Sequence, residues 1–151
     1  IELLTKTKPS FYPVDCNDFN SLQNVFKLHQ IDAVIHFAAF KAVGESTQKP
    51  LVYHYNNVGS LITLLRVMEE FKVKDFIFSS SCTVYGQPDV IPVTEEAPIK
   101  KAESPYGATK QICEQIIKDV TSQNLKAISL RYFNPIGAHP SAELGELPIG
   151  T

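Results

Sequence analysis

Residues 33–39 of this 151-residue chain read AVIHFAA, and residues 75–81 read DFIFSSS. Both begin as short, almost continuous apolar runs, the pattern of parallel strands that are covered on both faces. A third such run, AISLRYF, spans 127–133, and a shorter one spans 11–15. Segments with helical spacing separate them. This alternation predicts parallel strands joined by right-handed crossovers, and therefore an α/β fold with a doubly wound parallel sheet.

Three helices and two loops are predicted between these strands. The helices are marked by side chains at helical spacing: Leu22, Val25, Phe26 and His29; Val58, Leu61, Ile62, Leu65 and Met68; and Ile112, Cys113, Ile116, Ile117 and Val120. The polar segment before Val58 is predicted to be a loop. Residues 86–105 are rich in Pro and Glu and lack a period, which predicts a second, longer loop.

The composition argues against several kinds of partner. The net charge is −2, from 14 basic and 16 acidic residues, and no basic run appears, so no nucleic acid or membrane surface is expected. Cys16, Cys82 and Cys113 form no CxxC pair, which predicts reduced thiols and neither a disulfide framework nor a zinc site. His36 lacks an accompanying cluster of ligands and is interpreted as a strand residue, so no metal is predicted.

Tyr106 and Lys110 are four residues apart at the start of a predicted helix, and therefore lie on one face of it. Free tyrosine titrates near ~10, so it is a poor base at neutral pH. A lysine ammonium at about 5 Å would lower the phenol pKa by roughly two units and make Tyr106 a plausible general base. The alternative is an exposed tyrosine beside a solvated lysine.

Ser79, Ser80 and Ser81 end the predicted strand that begins at Asp75. Ligands of open α/β sheets bind outside the carboxyl ends of the strands, so these hydroxyls are candidates for a site. Hydroxyls at a strand end could instead satisfy backbone groups or begin a turn.

Four phrases, in this order, carry a resemblance to a known family: HFAAFKAVGES at 36–46, FSSSCTVYG at 78–86, SPYGATK at 104–110 and LRYFNPIGAHPS at 130–141. They resemble the UDP-glucose 4-epimerase family, part of the extended short-chain dehydrogenases/reductases. Ser81, Tyr106 and Lys110 match the Ser/Thr–Tyr–Lys triad of that superfamily. The resemblance covers essentially the whole chain and implies a Rossmann-like, NAD-binding fold.

The resemblance also implies roles for individual residues. Catalysis is expected from Tyr106, Lys110 and Ser81, with Ser81, Tyr106, Tyr132 and Asn134 contacting a UDP-sugar substrate. The residues expected to bind NAD are Asp15 and Cys16 at the adenine, Phe37, Ala38 and Ala39 in the cleft, Lys41, Asn56, Ser79, Tyr106, Lys110 and Phe133. For Phe37 and Phe133 a core position is an equal alternative.

The resemblance implies the interconversion of UDP-glucose and UDP-galactose by oxidation at C4, rotation of the 4-keto sugar and re-reduction. It also implies a cytoplasmic enzyme whose parent is a homodimer. One alternative is a sugar-nucleotide 4,6-dehydratase, but the related dehydratases have Asp-Glu where this chain has Cys82 and Thr83. The other alternative is a non-catalytic nucleotide-binding fragment.

Departures from the family pattern lead to further expectations. The family usually has Gly at the position of Ala39, and this chain has no GxxGxxG turn. We therefore expect one partial domain over 1–151 without the first two strands or the carboxy-terminal lobe. The family sheet has the order 3-2-1-4-5-6, so the strands at 33–39, 75–78 and 127–133 should pair in sequence. Residues 11–15, as strand three, should stand apart or slide into the gap. Residues 33–39 are expected to present an unpaired edge.

Overall fold

A computed structural model describes residues 2–121 and 125–145. The elements, in chain order, are α1 (Glu2–Thr5), α2 (Phe19–Leu28), β1 (Ala33–His36), α3 (Val43–Gln48), α4 (Pro50–Tyr53), a π-helical turn (His54–Val58), α5 (Gly59–Glu70), β2 (Asp75–Ser81), a 3-10 turn (Cys82–Tyr85), α6 (Pro105–Thr121) and β3 (Lys126–Tyr132).

The three strands form one parallel sheet in the order β1-β2-β3. Ala33 is paired with Asp75 at one end of β1, and Ser81 is paired with Tyr132 at the end of β2. The α/β class, the parallel direction and the sequential pairing are therefore as predicted. Because all three strands run the same way, their carboxyl ends share one edge of the sheet. Among the described residues, β1 has a neighbouring strand on one side only.

The core lies between the sheet and the helices α2, α5 and α6. It is formed by side chains that are under one-tenth exposed: Leu22 and Phe26 from α2, Leu61, Leu64, Val67 and Met68 from α5, Phe76 and Phe78 from β2, and Cys113 and Ile117 from α6. Asp18 caps α2 by accepting hydrogen bonds from the backbone N–H groups of Asn20 and Ser21. Most of the predicted stripe residues thus form or flank the core, whereas Ile62 and Ile112 are 42% and 38% exposed.

The opposite face of the sheet is largely exposed in this chain. Ile35 of β1 is 57% exposed and Ile128 of β3 is 60% exposed. Continuous apolar runs predict strands covered on both faces, and for β1 and β3 the described residues cover one face only. The apolar side chains of β1 and β3 on the exposed face therefore indicate a further layer of structure over that face, which the described residues do not provide.

Two predictions of secondary structure are wrong. Residues 11–15 form no strand, because a strand exists only with a hydrogen-bonding partner, and Pro13 cannot donate to one. The predicted polar loop before Val58 contains α3, α4 and the π-helical turn. Pro50 occupies the first position of α4, where its missing N–H costs nothing, and the chain stays helical from there to Glu70.

Three element boundaries differ from their predicted positions. β1 ends at His36, so residues 37–39 leave the sheet, whereas β3 starts and ends one residue early. α6 begins at Pro105, well before its apolar stripe. The stretch from Gly86 to Ser104 contains no helix or strand, as predicted.

The chain divides into two compact units. Val14–Phe133 contains the sheet and the core. The other unit comprises the segments up to Pro13 and from Asn134, and within it His139 N–H donates to Leu144 O at 2.9 Å. A single partial domain over 1–151 stays a prediction. Within the described ranges no helix is long and apolar enough to span a membrane.

Candidate active site

The first turn of α6 is placed by a serine cap and by a glycine. Ser104 Oγ accepts a hydrogen bond from Gly107 N–H at 3.1 Å, which satisfies a helix-start donor. A Cβ on Gly107 would lie 3.3 Å from both Cβ and O of Thr83, a tight contact that glycine avoids. The turn that carries Tyr106 therefore packs directly on the 3-10 turn that follows β2.

Ser81 is the last residue of β2 and begins the 3-10 turn. Its Oγ accepts hydrogen bonds from Thr83 N–H at 3.3 Å and from Thr83 Oγ1 at 3.0 Å. Ser81 also lies close enough to Tyr106 for its side chain to lower the pKa of the phenol. The structure thus places the strand-end serine beside the helix-start tyrosine, and both are at most 9% exposed.

Lys110 is buried one turn after Tyr106. Its Nζ donates to Ser79 O at 2.7 Å and lies 4.8 Å from the centre of the Phe78 ring. The distance from Nζ to the centre of the Tyr106 ring is 5.8 Å. The alternative of an exposed tyrosine beside a solvated lysine is therefore wrong, and Ser81, Tyr106 and Lys110 form one buried cluster, called the triad below.

The predicted direction of the Tyr106 pKa shift is wrong for this chain. Burial raises the pKa of Tyr106, and the nearby Cys82 raises it further, whereas the Ser81 hydrogen bond and the charge of Lys41 lower it. Burial also lowers the pKa of Lys110, because a buried ammonium loses its hydration. Desolvation of the phenol thus outweighs the attraction of nearby cations.

The loop after β1 carries four residues expected at the cofactor, namely Phe37, Ala38, Ala39 and Lys41. All are exposed except Ala39, which is half-buried. The ring centre of Phe37 is 6.5 Å from that of Tyr132, which ends β3. Phe37 is 62% exposed and Phe133 is 56% exposed, so neither belongs to the core. These residues follow or end strands at the same sheet edge as Ser81.

Asn57, which sequence reasoning missed, ties this loop to α6. Its side chain is buried, accepts from Phe40 N–H at 2.8 Å, and donates to Phe40 O at 3.0 Å and to Thr109 Oγ1 at 3.2 Å. Asn56, expected at the cofactor, donates to Asn57 Oδ1 at 3.0 Å. Both lie in the π-helical turn, a distortion often found at functional sites. The paired asparagines before an apolar stripe were the available signal.

The remaining residues expected at the site are Asp15, Cys16 and Asn134. Asp15 Oδ1 accepts from the backbone N–H of Asn17 at 2.8 Å, and half-buried Cys16 packs against the core. Burial, followed by the charge of Asp15, raises the pKa of Cys16. Asn134 is exposed and belongs to the second compact unit. The roles of these three residues stay predictions.

A metal centre finds no support in the described ranges, which contain no group of three or more His, Cys, Asp or Glu side chains that could hold an ion. His36 is stacked with Phe76 and Phe78, with ring centres 6.4 and 6.1 Å away. Burial, and then the charge of Lys110, lowers its pKa to about 4. His36 is thus a neutral strand residue, and Cys16, Cys82 and Cys113 are free thiols.

A serine at the carboxyl end of a parallel strand, held against a tyrosine and a lysine on the next helix, lies where open α/β sheets bind their ligands. It also matches the triad that the resemblance to dinucleotide-dependent short-chain dehydrogenases implies. Residues 2–147 match the NAD dependent epimerase/dehydratase family, and the chain belongs to this family. The resemblance seen in the sequence is thereby confirmed.

Relatives and solved structures agree with this assignment. The chain is 52% identical to UDP-glucose 4-epimerase 2 of Arabidopsis thaliana over 93% of its own length and 41% of that protein. It is 52% identical to a UDP-glucose 4-epimerase of Schizosaccharomyces pombe over 99% of its own length and 44% of that protein. The crystal structure of UDP-glucose 4-epimerase from Bifidobacterium longum in complex with NAD+ and UDP has a TM-score of 0.95 and 47% identity, covering 99% of this chain and 45% of that chain. This chain thus spans less than half the length of each, and its Rossmann-like fold is confirmed.

Proposed function

We propose that the full-length protein containing this chain interconverts UDP-glucose and UDP-galactose with the help of bound NAD. The observation that carries this proposal is the buried contact of Ser81 with Tyr106, one helical turn from Lys110, at the carboxyl edge of the sheet. Relatives about half identical to this chain are UDP-glucose 4-epimerases, and the Bifidobacterium longum enzyme was crystallised with NAD+ and UDP.

The residues at the sheet edge fit a dinucleotide. Ala38 and Ala39 place small side chains in the loop after β1, and Asn56, Lys41 and Lys110 supply hydrogen-bond donors. When bound, NAD would supply hydride acceptance and return at the sugar C4. In this proposal the first glycine-rich turn of the cofactor site belongs to a part of the protein outside this chain.

Tyr106 is the base in this proposal, and it accepts the proton of the sugar 4-hydroxyl at its phenolate oxygen. Because burial raises its pKa, it needs a further positive charge beside the hydroxyl, and an oxidised nicotinamide ring would provide one. Ser81 donates a hydrogen bond to the same sugar oxygen. Lys110 opposes the negative charge on Tyr106 and orients the cofactor ribose.

The full-length protein with UDP-glucose tests this proposal. UDP-galactose is the expected product, and Tyr106→Phe should reduce kcat at least ~10²-fold because the proton acceptor is gone. Tyr55→Phe is the matched control, since it makes the same change at a tyrosine that is 74% exposed. Chromatography of the products separates the alternatives.

Steady accumulation of a 4-keto-6-deoxy sugar would instead identify a 4,6-dehydratase. That outcome is not expected, because Cys82 and Thr83 occupy the positions where dehydratases have an acidic pair, and neither can replace a carboxylic acid at neutral pH. Failure of the full-length protein to turn over UDP-glucose would leave nucleotide binding without catalysis.

We also propose a homodimeric parent enzyme in the cytoplasm. The helices α5 and α6 line a cavity of about 290 Å³ with Ile62, Leu65 and Ile116, and Ile62 is 42% exposed, which suits an apolar contact between copies. Free thiols at all three cysteines are typical of a reducing compartment. Sedimentation should show a dimer that Ile62→Glu dissociates and that Leu51→Glu, at an 82% exposed position, does not.

A further inference from the structure

Successive turns of α6 hold the three consecutive serines at the end of β2. The side chain of Ser81 acts on Tyr106 in the first turn and lowers the pKa of its phenol, and Lys110 Nζ in the second turn donates to Ser79 O at 2.7 Å. In the third turn Glu114 Oε1 accepts from Ser80 Oγ at 2.5 Å. The function proposed above uses the first two turns and leaves Glu114 unexplained.

Glu114 forms a bidentate ion pair with Arg131 of β3. Arg131 Nε donates to Glu114 Oε1 at 3.0 Å, and Nη2 donates to Oε2 at 2.6 Å. The side chains are 12% and 21% exposed, so the pair is largely shielded from water. Bidentate Arg–carboxylate pairs are strong and geometrically specific. Arg131 is also the residue of β3 that is in register with Ser80, so the pair fixes β2, β3 and α6 at one level.

The third guanidinium nitrogen of Arg131 contacts the 3-10 turn that follows Ser81. Nη1 donates to the Tyr85 hydroxyl at 2.9 Å, and the guanidinium carbon lies 4.8 Å from the centre of the Tyr85 ring. Tyr85 is buried and ends the turn that Ser81 begins. Ser81 is therefore held on both sides, through Ser80 before it and through Tyr85 after it, by the same ion pair.

We propose that Glu114 and Arg131 are positioning residues that hold Ser81 at hydrogen-bonding distance from the Tyr106 hydroxyl during the reaction. This inference rests on the proposed function. In it, the ion pair touches neither substrate nor cofactor and acts through Ser80, Tyr85 and Ser81. Loosening the pair lets the end of β2 move relative to the first turn of α6, where small displacements have large effects on rate.

The titration of Tyr106 reports on this arrangement. Besides Ser81, the charged and titratable groups that act on Tyr106 or share its surroundings are Lys41, Cys82, Lys110 and Tyr53. The Ser81 hydrogen bond lowers the pKa of Tyr106, so weakening that bond raises it. The pH at which kcat reaches half its maximum should then move upward.

The experiment uses the full-length enzyme and the variants Glu114→Gln and Tyr85→Phe. The matched control is Asp119→Asn, which removes the same charge from an exposed position on the same helix. For Glu114→Gln we expect kcat to fall at least about tenfold, with KM and NAD content retained. The midpoint of the kcat–pH profile should shift upward, as should the ultraviolet titration of Tyr106, taken as the difference from the corresponding Tyr106→Phe protein. Tyr85→Phe should shift both in the same direction by less, and Asp119→Asn should shift neither.

Glu114→Gln with a lowered Tm but normal kcat and normal midpoints would show a merely structural pair and overturn the inference. If Glu114→Gln does not fold, Tyr85→Phe decides, because unchanged kcat and midpoints in that variant overturn the inference equally. Absence of epimerisation in the unmodified full-length protein is a different result. It would refute the proposed function itself, while the ultraviolet titration of Tyr106 would still test the positioning of Ser81.

Discussion

At the scale of single residues, burial shifts the pKa values of Tyr106 and Lys110 in opposite directions, for the same physical reason. It raises the pKa of the phenol and lowers the pKa of the ammonium, so it favours the neutral form of each. Sequence spacing predicts proximity, which is present, but it does not predict how much water each side chain loses. For that reason the triad was predictable while the direction of the Tyr106 shift was not.

Lys41, in the loop after β1, is expected to influence the pKa of Tyr106, which lies in α6. Its positive charge lowers the pKa of Tyr106, so Lys41→Met in the full-length protein should raise that pKa and move the tyrosinate titration to higher pH. Lys118→Met, which removes a cation from an exposed position of α6, is the control. An unchanged titration in the Lys41 variant would contradict the electrostatic assignment.

His36 should make stability depend on pH. Its pKa is about 4 in the folded chain, against an ordinary value of 6.5, so the unfolded state binds the proton more readily. Stability from this group is complete above pH 6.5 and declines as pH falls toward 4. The full decline is of the order of 3 kcal/mol, from 1.36 kcal/mol per pKa unit.

Urea unfolding of the full-length protein at several pH values between 4 and 7 measures this effect. In His36→Phe the free energy of unfolding should lose that part of its pH dependence, because an aromatic ring remains beside Phe76 and Phe78 but cannot titrate. His54→Phe should retain the full dependence. Equal slopes in the two variants would refute the role assigned to His36.

At the scale of elements, the hydrophobic periodicity of the sequence predicted the strands and helices whose side chains form the core. The buried runs at β1, β2 and β3 and the stripe of α6 follow from burial, which leaves a pattern in the sequence. Residues 11–15 have the apolar character of a strand, but strand formation also needs a neighbour, which no local pattern reveals. The segment 43–57 lacks a long stripe, and its helices depend on Pro50 and on contacts with α6.

The residues of the candidate site likewise fall into those that the sequence predicted and those that it did not. Ser81, Tyr106 and Lys110 were predictable because topology places strand ends and the following helix at one sheet edge. Asn57, Glu114 and Arg131 were not, because their importance lies in partners 17 to 52 residues away that only the folded chain brings together. Long-range polar contacts of this kind leave no periodic signal.

Gly86 is expected to be indispensable for the join between the 3-10 turn and the loop that follows it. Its φ is 60° and ψ is −140°, a combination that L side chains rarely adopt, and an added Cβ would lie 2.5 Å from Lys101 O. Gly86→Ala should therefore lower the free energy of unfolding by about 1–3 kcal/mol or more.

Gly44→Ala provides the matched comparison for Gly86→Ala. Gly44 lies in α3 and an added Cβ would meet nothing within 4 Å, so the same change should be neutral or stabilising by up to about 1 kcal/mol. Chemical denaturation of both full-length variants gives the two values. A Gly86→Ala protein as stable as Gly44→Ala would show that the loop can adopt another path.

At the scale of the whole molecule, the sheet that carries the candidate site leaves several large apolar side chains exposed. Ile35 and Ile128 on the sheet, together with Phe37 and Phe133 at its carboxyl edge, are each more than half exposed. β1 also has an unpaired edge among the described residues. The relatives are more than twice as long as this chain, so in them more protein is available to cover such surfaces.

The 151-residue chain, expressed alone, should therefore aggregate or melt without a sharp transition, and should bind NAD weakly or not at all. An open strand edge and an uncovered apolar face both favour association between copies, and no GxxGxxG turn is present in this chain to cradle the cofactor phosphates. Thermal melting and calorimetric titration with NAD measure the two properties, with the full-length protein as the reference. Cooperative melting of the isolated chain together with tight NAD binding would mean that β1, the loop after it and Asn56 suffice to hold the dinucleotide. In that case the phosphates would have to be bound by backbone groups of residues 37–41 rather than by a glycine-rich turn.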